Sequence, residues 1–357
     1  MLRNIAVVLA AVLATLLAAE LALRALPVST ATMTGYHFDS DLLTYPARHE
    51  WTASTGWDLR NSQTLHSNNW GFASIDFVPG SGALGLIGDS YVEASMLSPG
   101  DRPAEQLQRL LGESRPVYGL GSPGTALLDF AQRIRFADQQ FGVRDFVVWA
   151  DAGDVRQAVC GSGNVHSRCL DAESLLPRIE RLPSPGAAKQ LARHSALAQY
   201  FFSQLKLDLA QLPAALLRRN VPAEEVSTPQ PAVVASDPAA SEASRQRSRQ
   251  LTDAVLTEFF KVAGPHVRGR LIFLIDGRRN PIPRPSAEAD FERQYLMDRL
   301  RALGVEVVDA ELAYAAHAGR SNLSVEVGPY DRHLNALGVQ LAMGVAAAQV
   351  RQSPQQP

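Results

Sequence analysis

A short apolar run that stops at Gly-Asp-Ser constrains the fold more than any other stretch of this chain. Residues 84–87 are Leu-Gly-Leu-Ile, and Ser90 follows three positions later. Such a run predicts a buried strand that enters a tight turn. The more polar stretch after it suits a helix that begins at Ser90. Backbone N–H groups in the first turn of a helix are free to bind an anion, so Ser90 has the position of an acyl-transfer nucleophile.

Two residues that commonly act with a nucleophilic serine, Asp331 and His333, lie near the far end of the chain. They precede a helix-like run over residues 336–350. A histidine can take the serine proton, and an aspartate can hold the imidazole in one tautomer. Because residues two apart diverge on a helix, we expect both to lie in a loop over residues 326–333, whose glycine and proline favour a turn.

Between these two ends, apolar runs alternate with stretches of helical periodicity. Predicted strands separated by predicted helices form βαβ units and a parallel sheet. Functional sites in such sheets gather at the carboxyl ends of the strands. The predicted strands cover residues 83–87, 116–120, 145–150, 270–275 and 305–308, and the predicted helices cover residues 103–111, 126–141, 248–264, 287–303 and 309–317.

The ordered pair of motifs, Gly-Asp-Ser near the start and Asp-x-His near the end, resembles the SGNH/GDSL esterase superfamily, in particular its membrane-anchored bacterial members. The resemblance runs over residues 83–350. It implies a flavodoxin-like three-layer α/β/α fold with a central five-stranded parallel sheet. It also implies a catalytic triad of Ser90, His333 and Asp331, and an oxyanion hole that uses the backbone N–H groups of Ser90 and Gly121.

One position departs from the family pattern, at the end of the third strand. The family carries Gly-x-Asn-Asp there, and the asparagine side chain donates a third hydrogen bond to the oxyanion. Aligning Asp154 with the family aspartate places Gly153 where that asparagine belongs. Loss of one such donor typically costs about 2.7–4 kcal/mol of transition-state stabilisation. Either another donor such as Asn164 or Asn335 replaces it, or two backbone donors suffice, or catalysis is weak.

Further side chains near the predicted site are candidates for binding substrate. Arg278 and Arg279 lie in a loop at the carboxyl end of the fourth strand, where they either hold an anionic substrate group or are solvated charges. Asn335 precedes the last helix and also suits a helix cap. The predicted substrate-binding residues are Asp89, Asp154, Arg278 and Asn335.

The first 26 residues differ in composition from all that follow. Residues 5–19 are apolar except for Thr15, and the span over residues 4–26 is long enough to cross a bilayer. We expect an uncleaved signal anchor in the inner membrane, with the rest of the chain in the periplasm. The alternative is a signal peptide that is cleaved near Ala18-Ala19-Glu20, which would release a secreted protein.

The chain has two cysteines, Cys160 and Cys169, in a glycine-rich stretch. In an oxidising compartment they would close a small loop and stabilise the fold by about 2–3 kcal/mol. The alternative is two unrelated thiols. No second cluster of cysteine or histidine has the spacing of metal ligands, so we expect neither a metal nor a cofactor.

The rest of the chain divides by composition. Tryptophans in the segment before the first strand, Trp51, Trp57 and Trp70, are either packed against the core or a stacking platform for carbohydrate. Residues 220–247, inside a predicted helical insertion, have too few large apolar side chains to order themselves. The predicted parts are a signal anchor (1–26), an extension packed on the core (27–82), a hydrolase domain (83–350) with its insertion (186–264), and a polar tail (351–357).

Composition and resemblance together narrow the function. The net charge of the 357 residues is -2 and no basic stripe occurs, so we expect no nucleic-acid partner. The resemblance implies a monomeric serine esterase that removes or transfers an acyl group, expected to be acetyl, on an envelope or extracellular carbohydrate or a small ester. The Asp-x-His spacing occurs among exported, polysaccharide-modifying members. The alternative, which Gly153 favours, is an inactive domain that acts as a binding or assembly component of an envelope polysaccharide system.

Overall fold

The computed structural model describes residues 2–35, 37–39, 42–112, 115–164, 168–180, 186–205, 238–279, 287–328 and 331–352. The strands are β1 (His37–Asp39), β2 (Leu42–Thr44), β3 (Glu50–Thr55), β4 (Arg60–His66), β5 (Leu84–Gly88), β6 (Val117–Gly121), β7 (Asp145–Ala150), β8 (Arg168–Leu170), β9 (Pro177–Ile179), β10 (Leu271–Ile275), β11 (Glu306–Asp309), β12 (Glu326–Gly328) and β13 (Asp331–Leu334). The helices are α1 (Leu2–Arg24), α2 (Ser90–Glu93), α3 (Pro103–Leu111), α4 (Leu127–Phe141), α5 (Gly153–Gln157), α6 (Ala187–Arg193), α7 (Ala196–Ala198), α8 (Pro238–Ala263), α9 (Ala287–Ala302), α10 (Glu311–Ala318) and α11 (Ala336–Arg351), with a π-helical turn at Gln199–Gln204.

The centre of the molecule is a five-stranded parallel sheet in the order β11-β10-β7-β5-β6. Each predicted strand is present, with ends within one residue of those expected. Short apolar runs were therefore sufficient to predict the strands of this sheet, because strands buried on both faces carry few polar residues. The register pairs Gly88 with Gly121, so the ends of β5 and β6 meet at one edge of the sheet.

Helices cover both faces of this sheet. Successive residues of a strand point to opposite faces, and in these strands both sets of side chains are apolar and need to be covered. On one face Ile87, Val148 and Phe273 pack under α4, α8 and α9. On the other face Leu86, Trp149 and Leu274 pack under α2, α3 and α11. Burying one such side chain contributes about 1.5–3 kcal/mol. The predicted three-layer α/β/α architecture is confirmed.

The segment before β5 packs against the sheet and its own hairpin. Trp51 in β3 is buried and stacks on Tyr45, with ring centroids 4.0 Å apart. Phe72 and Phe77 enter the main core. Trp57, in contrast, is exposed over 64% of its surface. The aromatic residues of this segment are thus mainly packing groups. The predicted division of the chain into an extension (27–82) and a hydrolase domain (83–350) stays a prediction.

The predicted disorder in the insertion is wrong for residues 238–247, because α8 begins at Pro238. This part is rich in alanine, arginine, glutamine and glutamate, which have high helix propensity. Contacts of this segment support it, since the Arg245 guanidinium lies 5.5 Å from the ring centroid of Phe291 and the Glu242 carboxylate accepts a hydrogen bond from Arg249 at 2.8 Å. Residues 220–237 lie outside the described residues.

The N-terminal helix α1 is 23 residues long, and no part of its apolar window is buried in the molecule. By length and composition it can cross a membrane. Its last turns contact the insertion, where the Glu20 carboxylate accepts hydrogen bonds from the Ser195 hydroxyl and from the N–H groups of Ala196 and Leu197. Glu20 therefore caps α7 and ties α1 to the folded part of the chain.

Candidate active site

The structure brings Ser90, His333 and Asp331 into one hydrogen-bonded chain. Ser90 is the first residue of α2, which Asp89 caps by accepting the Tyr91 N–H at 2.8 Å. The Ser90 hydroxyl oxygen lies 2.9 Å from Nε2 of His333, and Nδ1 of that imidazole lies 2.5 Å from Oδ1 of Asp331. A carboxylate at Nδ1 favours the proton there, which leaves Nε2 as the acceptor for the serine proton.

Asp331 and His333 lie in a strand, so the expectation of a loop is wrong. They belong to β13, which pairs antiparallel with β12. Residues two apart on a strand point to the same side, which places the aspartate beside the imidazole. The Asp331 carboxylate also accepts the backbone N–H of His333 at 2.9 Å. The Asp-x-His spacing thus suits a strand.

Gly121, the last residue of β6, lies directly against α2. A Cβ at this position would lie 2.4 Å from the backbone nitrogen of Glu93 and 2.8 Å from the carbonyl carbon of Val92. No larger residue fits without moving α2, so glycine is required. The first turn of α2 and the end of β6 therefore form a shared edge beside Ser90.

A buried arginine that sequence reasoning missed, Arg133, donates hydrogen bonds to the backbone at the ends of β5 and β6. Arg133 of α4 is fully buried and donates to the carbonyl oxygens of Gly88, at 2.5 Å, and Leu120, at 3.3 Å. It also donates to the Thr125 hydroxyl at 2.9 Å. Burial lowers its pKa to about 10. Arg133 thus joins the strand ends that precede Ser90 and Gly121, and its place in an amphipathic helix gave no signal of this role.

Neither asparagine considered as a replacement donor at Gly153 has a suitable amide. Asn335 caps α11 by accepting the Gly338 N–H at 3.0 Å, and it donates to the carbonyls of Ser324 and Glu326 at 2.7 and 3.0 Å. Both N–H groups of its amide are thus used in the fold, and its role in substrate binding stays a prediction. Asn164 donates to Oε1 of Gln157 at 2.8 Å.

The carboxylates of Asp89 and Asp154 accept hydrogen bonds from backbone N–H groups near the start of α2 and just before α5. Asp154 is only 4% exposed, and it accepts the N–H of Asp151 at 2.8 Å, so the prediction that it contacts substrate is wrong. Burial, then the charges of Asp151 and Asp89, raise the pKa of Asp154 well above its usual range. Burial also raises the pKa of Asp89 to about 6. Asp89 caps α2 through one oxygen, and its other oxygen lies 3.5 Å from the Ser90 hydroxyl.

Arg278 and Arg279 differ in their surroundings. The side chain of Arg278 is about half exposed and pairs with Glu311 at 2.7 Å. The side chain of Arg279 is 10% exposed and pairs with Asp276 at 2.5 Å. The interpretation of Arg279 as a solvated charge is therefore wrong. No sequence pattern distinguishes the two arginines, since only the folded chain brings Arg279 to its partners.

Arg279 connects the elements that carry the triad. Its guanidinium donates to the Tyr91 hydroxyl at 2.5 Å and to the carbonyl oxygen of Arg332, which lies between Asp331 and His333 in the chain. Burial alone would lower the pKa of Arg279, but the neighbouring Asp276 carboxylate raises it above its usual range. The cation thus stays charged and fixes β13 relative to α2.

A cavity of about 530 Å³ lies beside the site, and the triad residues do not line it. Ser122 and Pro123, which follow Gly121, form part of its wall, as does Ser95 after α2. The segment after α1 and the π-helical turn complete it with residues such as Ala31 and Phe202. The cavity therefore borders the segments that follow β6 and α2, on the side of the N-terminal segment and the insertion.

The expected bond between Cys160 and Cys169 is present. It closes the loop that carries Asn164 and follows α5. Glu180 lies near the two sulfur atoms, but disulfide sulfurs offer no thiolate to a metal ion. The bond is consistent with an oxidising compartment.

Comparison with known proteins gives similarity at the level of solved structures. No protein-family model matches the chain, and no curated protein matches it. Similar structures include LAE5, an α/β hydrolase from the metagenome of Lake Arreo in Spain, at 17% identity and a TM-score of 0.40, covering 78% of this chain and 99% of that one. A lipolytic protein of the G-D-S-L family from Veillonella parvula is 12% identical with a TM-score of 0.39, covering 76% and 99% of the two chains. A putative arylesterase from Agrobacterium tumefaciens is 13% identical with a TM-score of 0.37, covering 75% and 98%.

Proposed function

We propose that this protein is a serine esterase of the SGNH/GDSL type. The observation that carries the proposal is the hydrogen-bonded chain from the Ser90 hydroxyl through His333 to Asp331, built from residues up to 243 positions apart. A serine at a helix start, with an imidazole at its oxygen and a carboxylate at the second ring nitrogen, is the arrangement that activates a hydroxyl for acyl transfer.

The mechanism follows from the contacts of these three side chains. Ser90 Oγ attacks the ester carbonyl carbon while Nε2 of His333 takes the hydroxyl proton. Asp331 balances the charge of the imidazolium and keeps its orientation. As the resemblance implies, the backbone N–H groups of Ser90 and Gly121 donate hydrogen bonds to the oxyanion. His333 then gives the proton to the leaving alcohol, and water or a sugar hydroxyl releases the acyl group from Ser90.

We propose acetyl groups on an envelope or extracellular carbohydrate as the substrate. The Asp-x-His spacing supports this choice, because it occurs among members of the SGNH/GDSL superfamily that are exported and modify polysaccharides. An N-terminal helix that can span a membrane and a disulfide support a periplasmic domain anchored in the inner membrane. The cavity lined in part by Ser122 and Pro123, directly after Gly121, is large enough for the part of the substrate outside the acetyl group.

A second candidate function is an inactive domain that binds polysaccharide without cleaving it. Gly153 favours it, because the asparagine donor of the family is missing there. The intact Ser90–His333 contact favours the enzyme, since binding alone does not need an imidazole at 2.9 Å from a hydroxyl.

Hydrolysis assays on the full chain in detergent test the proposal. We expect release of p-nitrophenol from the p-nitrophenyl acetate ester, and of acetate from acetylated xylan, that falls to background in Ser90→Ala. Ser98→Ala is a matched control, since its hydroxyl bonds only Asp101 in the described chain and should leave the rate unchanged. Equal rates for wild type and Ser90→Ala would reject the esterase.

A further inference from the structure

The cavity that borders the segments after β6 and α2 has a mainly apolar wall. Its volume of about 530 Å³ lies within the range of about 300–1,000 Å³ that is typical of ligand pockets. Leu43 and Phe202 form part of the wall. The hydroxyls of Ser95 and Ser122 also belong to it, but they donate to the Glu93 carboxylate at 2.8 Å and to the Leu43 carbonyl at 2.7 Å. Since these hydrogen atoms are used inside the protein, the wall suits the apolar part of a ligand.

Three polar groups of the wall have no partner inside the protein. Lys189 and Arg193 of α6 both line the cavity, and neither side chain forms a hydrogen bond or an ion pair in the described part of the chain. Thr44, which also lines the cavity, is only 6% exposed, and its hydroxyl has no partner among the described residues. A buried polar group without a partner is costly, so these groups favour a ligand that carries oxygen atoms.

The two cations favour a negative charge in that ligand. Lys189 and Arg193 are four residues apart, and residues at this spacing lie on one face of a helix. Like charges at this spacing repel each other and destabilise the helix. An anionic group between the two side chains would remove the repulsion and accept hydrogen bonds from both. Gly35 lies against the Arg193 guanidinium and would collide with it if it carried a side chain. The cavity therefore suits a molecule with an apolar body and an anionic head.

The position of the cavity next to the last turns of α1 indicates the source of such a molecule. Glu20 accepts hydrogen bonds from the start of α7, and Arg24 donates to the carbonyl of His194 at 3.2 Å. Glu20 lies about 6 Å before Arg24 along the helix axis, and the headgroup layer on each side of a bilayer is about 5–8 Å thick. With α1 in a membrane, α6 and α7 thus lie at the level of the lipid headgroups. Phe202 at the cavity is half exposed, and Leu191 on α6 is exposed, which gives this side of the insertion apolar groups that face outward.

We propose that the cavity binds one acyl chain of an anionic phospholipid from the membrane that holds α1, with the lipid phosphate between Lys189 and Arg193. The inference rests on the proposed membrane anchor and not on the esterase activity. A bound lipid would hold α6 and the π-helical turn at the membrane surface. The insertion thereby acquires a role in lipid binding that its sequence does not suggest.

Photolabelling of the full chain in lipid vesicles tests the inference. The vesicles consist of phosphatidylcholine with a trace of phosphatidylglycerol that carries a diazirine at the end of one acyl chain. Leu43 and Ser122 are buried in the cavity wall, out of reach of an acyl chain that stays in the bilayer. After digestion and mass spectrometry we expect adducts on the peptides that contain Leu43 or Ser122, in addition to adducts on α1. Adducts confined to α1 would overturn the inference.

A pair of tryptophan variants shows whether the label arrives through the cavity. Ala192 of α6 lines the cavity, so Ala192→Trp fills part of it and should remove the adduct at Leu43. Ala187 lies on the same helix and is not part of the cavity wall, so Ala187→Trp should label as the wild type does. Labelling of Leu43 that Ala192→Trp leaves unchanged would overturn the inference.

A second set of variants tests the anionic headgroup. Lys189→Gln together with Arg193→Gln should lower the labelling of the cavity wall about fivefold for each cation removed, the usual effect of one basic side chain beside an anionic lipid. Arg301→Gln removes an exposed cation from α9 and should leave the labelling unchanged. Wild-type labelling in the double variant, or equal labelling by phosphatidylcholine with the same diazirine, would overturn the assignment of an anionic lipid. None of these readouts requires hydrolysis, so a failure of the proposed esterase activity would not change them.

Discussion

At the scale of single residues, the site depends on side-chain directions that a sequence encodes only in context. Asp331 and His333 face the same way because they lie two apart on a strand. The same spacing on a helix would separate them. The motif predicted that the two side chains pair. It did not predict that they lie in a strand, because β13 is only four residues long and has no apolar alternation.

Asp89 gives a prediction on pH and stability. Its carboxyl has a pKa of about 6 in the folded chain, raised by burial from an ordinary 3.8. Between these values the folded state holds a proton that the unfolded state has lost, so ionisation of Asp89 lowers the stability of the fold as pH rises. Asn caps a helix about as well as Asp. We therefore expect Asp89→Asn to gain stability relative to wild type as pH rises from 4 to 7, with no further gain above 7.

Urea unfolding at a series of pH values measures this difference. The comparison between the two proteins cancels the titrating groups that do not interact with Asp89. Asp154 adds to the difference in the same direction, because the charge of Asp89 raises its pKa. A difference in unfolding free energy that stays constant from pH 4 to pH 7, or that reverses, would contradict the raised pKa of Asp89.

At the scale of elements, Arg279 ties three of them together at the edge of the sheet. It follows β10, contacts Tyr91 on α2 and holds the backbone of β13 at Arg332. The buried Tyr314 on α10 donates to the other oxygen of Asp276 at 2.9 Å, which completes the network. Arg279 thus joins the elements that carry Ser90 and His333, and it also lies 3.7 Å from the Glu326 carboxylate on β12.

Substitution of Arg279 should therefore reduce both stability and activity. Breaking a buried ion pair from one side typically costs about 3–5 kcal/mol, because the remaining charge is uncompensated. We expect Arg279→Gln to lose stability on that scale and to lose kcat as β13 shifts relative to Ser90. Arg279→Lys should recover little kcat, because the N–H groups of an ammonium do not point in the directions of the planar guanidinium that contacts Asp276, Tyr91 and Arg332.

The double variant Arg279→Gln with Asp276→Asn separates the two effects. It removes the uncompensated carboxylate, so thermal unfolding should return toward the wild-type midpoint while kcat stays low. Full recovery of kcat together with stability would mean that Arg279 acts on stability alone.

How far the sequence predicts these elements depends on the kind of signal they carry. The five sheet strands were predictable because each is an apolar run bounded by polar residues. The helix α8 was missed over residues 238–247 because its polar composition resembles a disordered segment, and its contacts with α9 are visible only in the fold. Arg279 and Arg133 were missed for a related reason, since a polar residue in a loop or helix does not reveal its tertiary partner.

At the scale of the whole molecule, the N-terminal helix and the folded part are nearly independent. The apolar window of α1 contributes nothing to the core, whereas Val28, just after it, is 4% exposed. The described contacts of α1 with the rest of the chain come from its last turns, through Glu20 and Arg24. The core and the triad therefore do not depend on the apolar part of α1.

Deletion of residues 1–26 tests this division. We expect the shortened chain to remain soluble without detergent, to keep its kcat on p-nitrophenyl acetate, and to lose no more stability than the Glu20 contacts provide. The full chain should stay in the membrane fraction after carbonate extraction. Loss of the fold on deletion would show that α1 is part of the domain, and a full chain released by carbonate would contradict a membrane-spanning α1.

The proposed esterase activity depends on Ser90 being a nucleophile that His333 activates. Mass spectrometry of the chain after reaction with a fluorophosphonate measures this most directly, because the reagent forms a stable phosphonyl ester with an activated serine. We predict a single adduct on the peptide that contains Ser90, absent in Ser90→Ala and formed far more slowly in His333→Ala. An unmodified wild-type chain, or an adduct that persists in Ser90→Ala, would contradict the account.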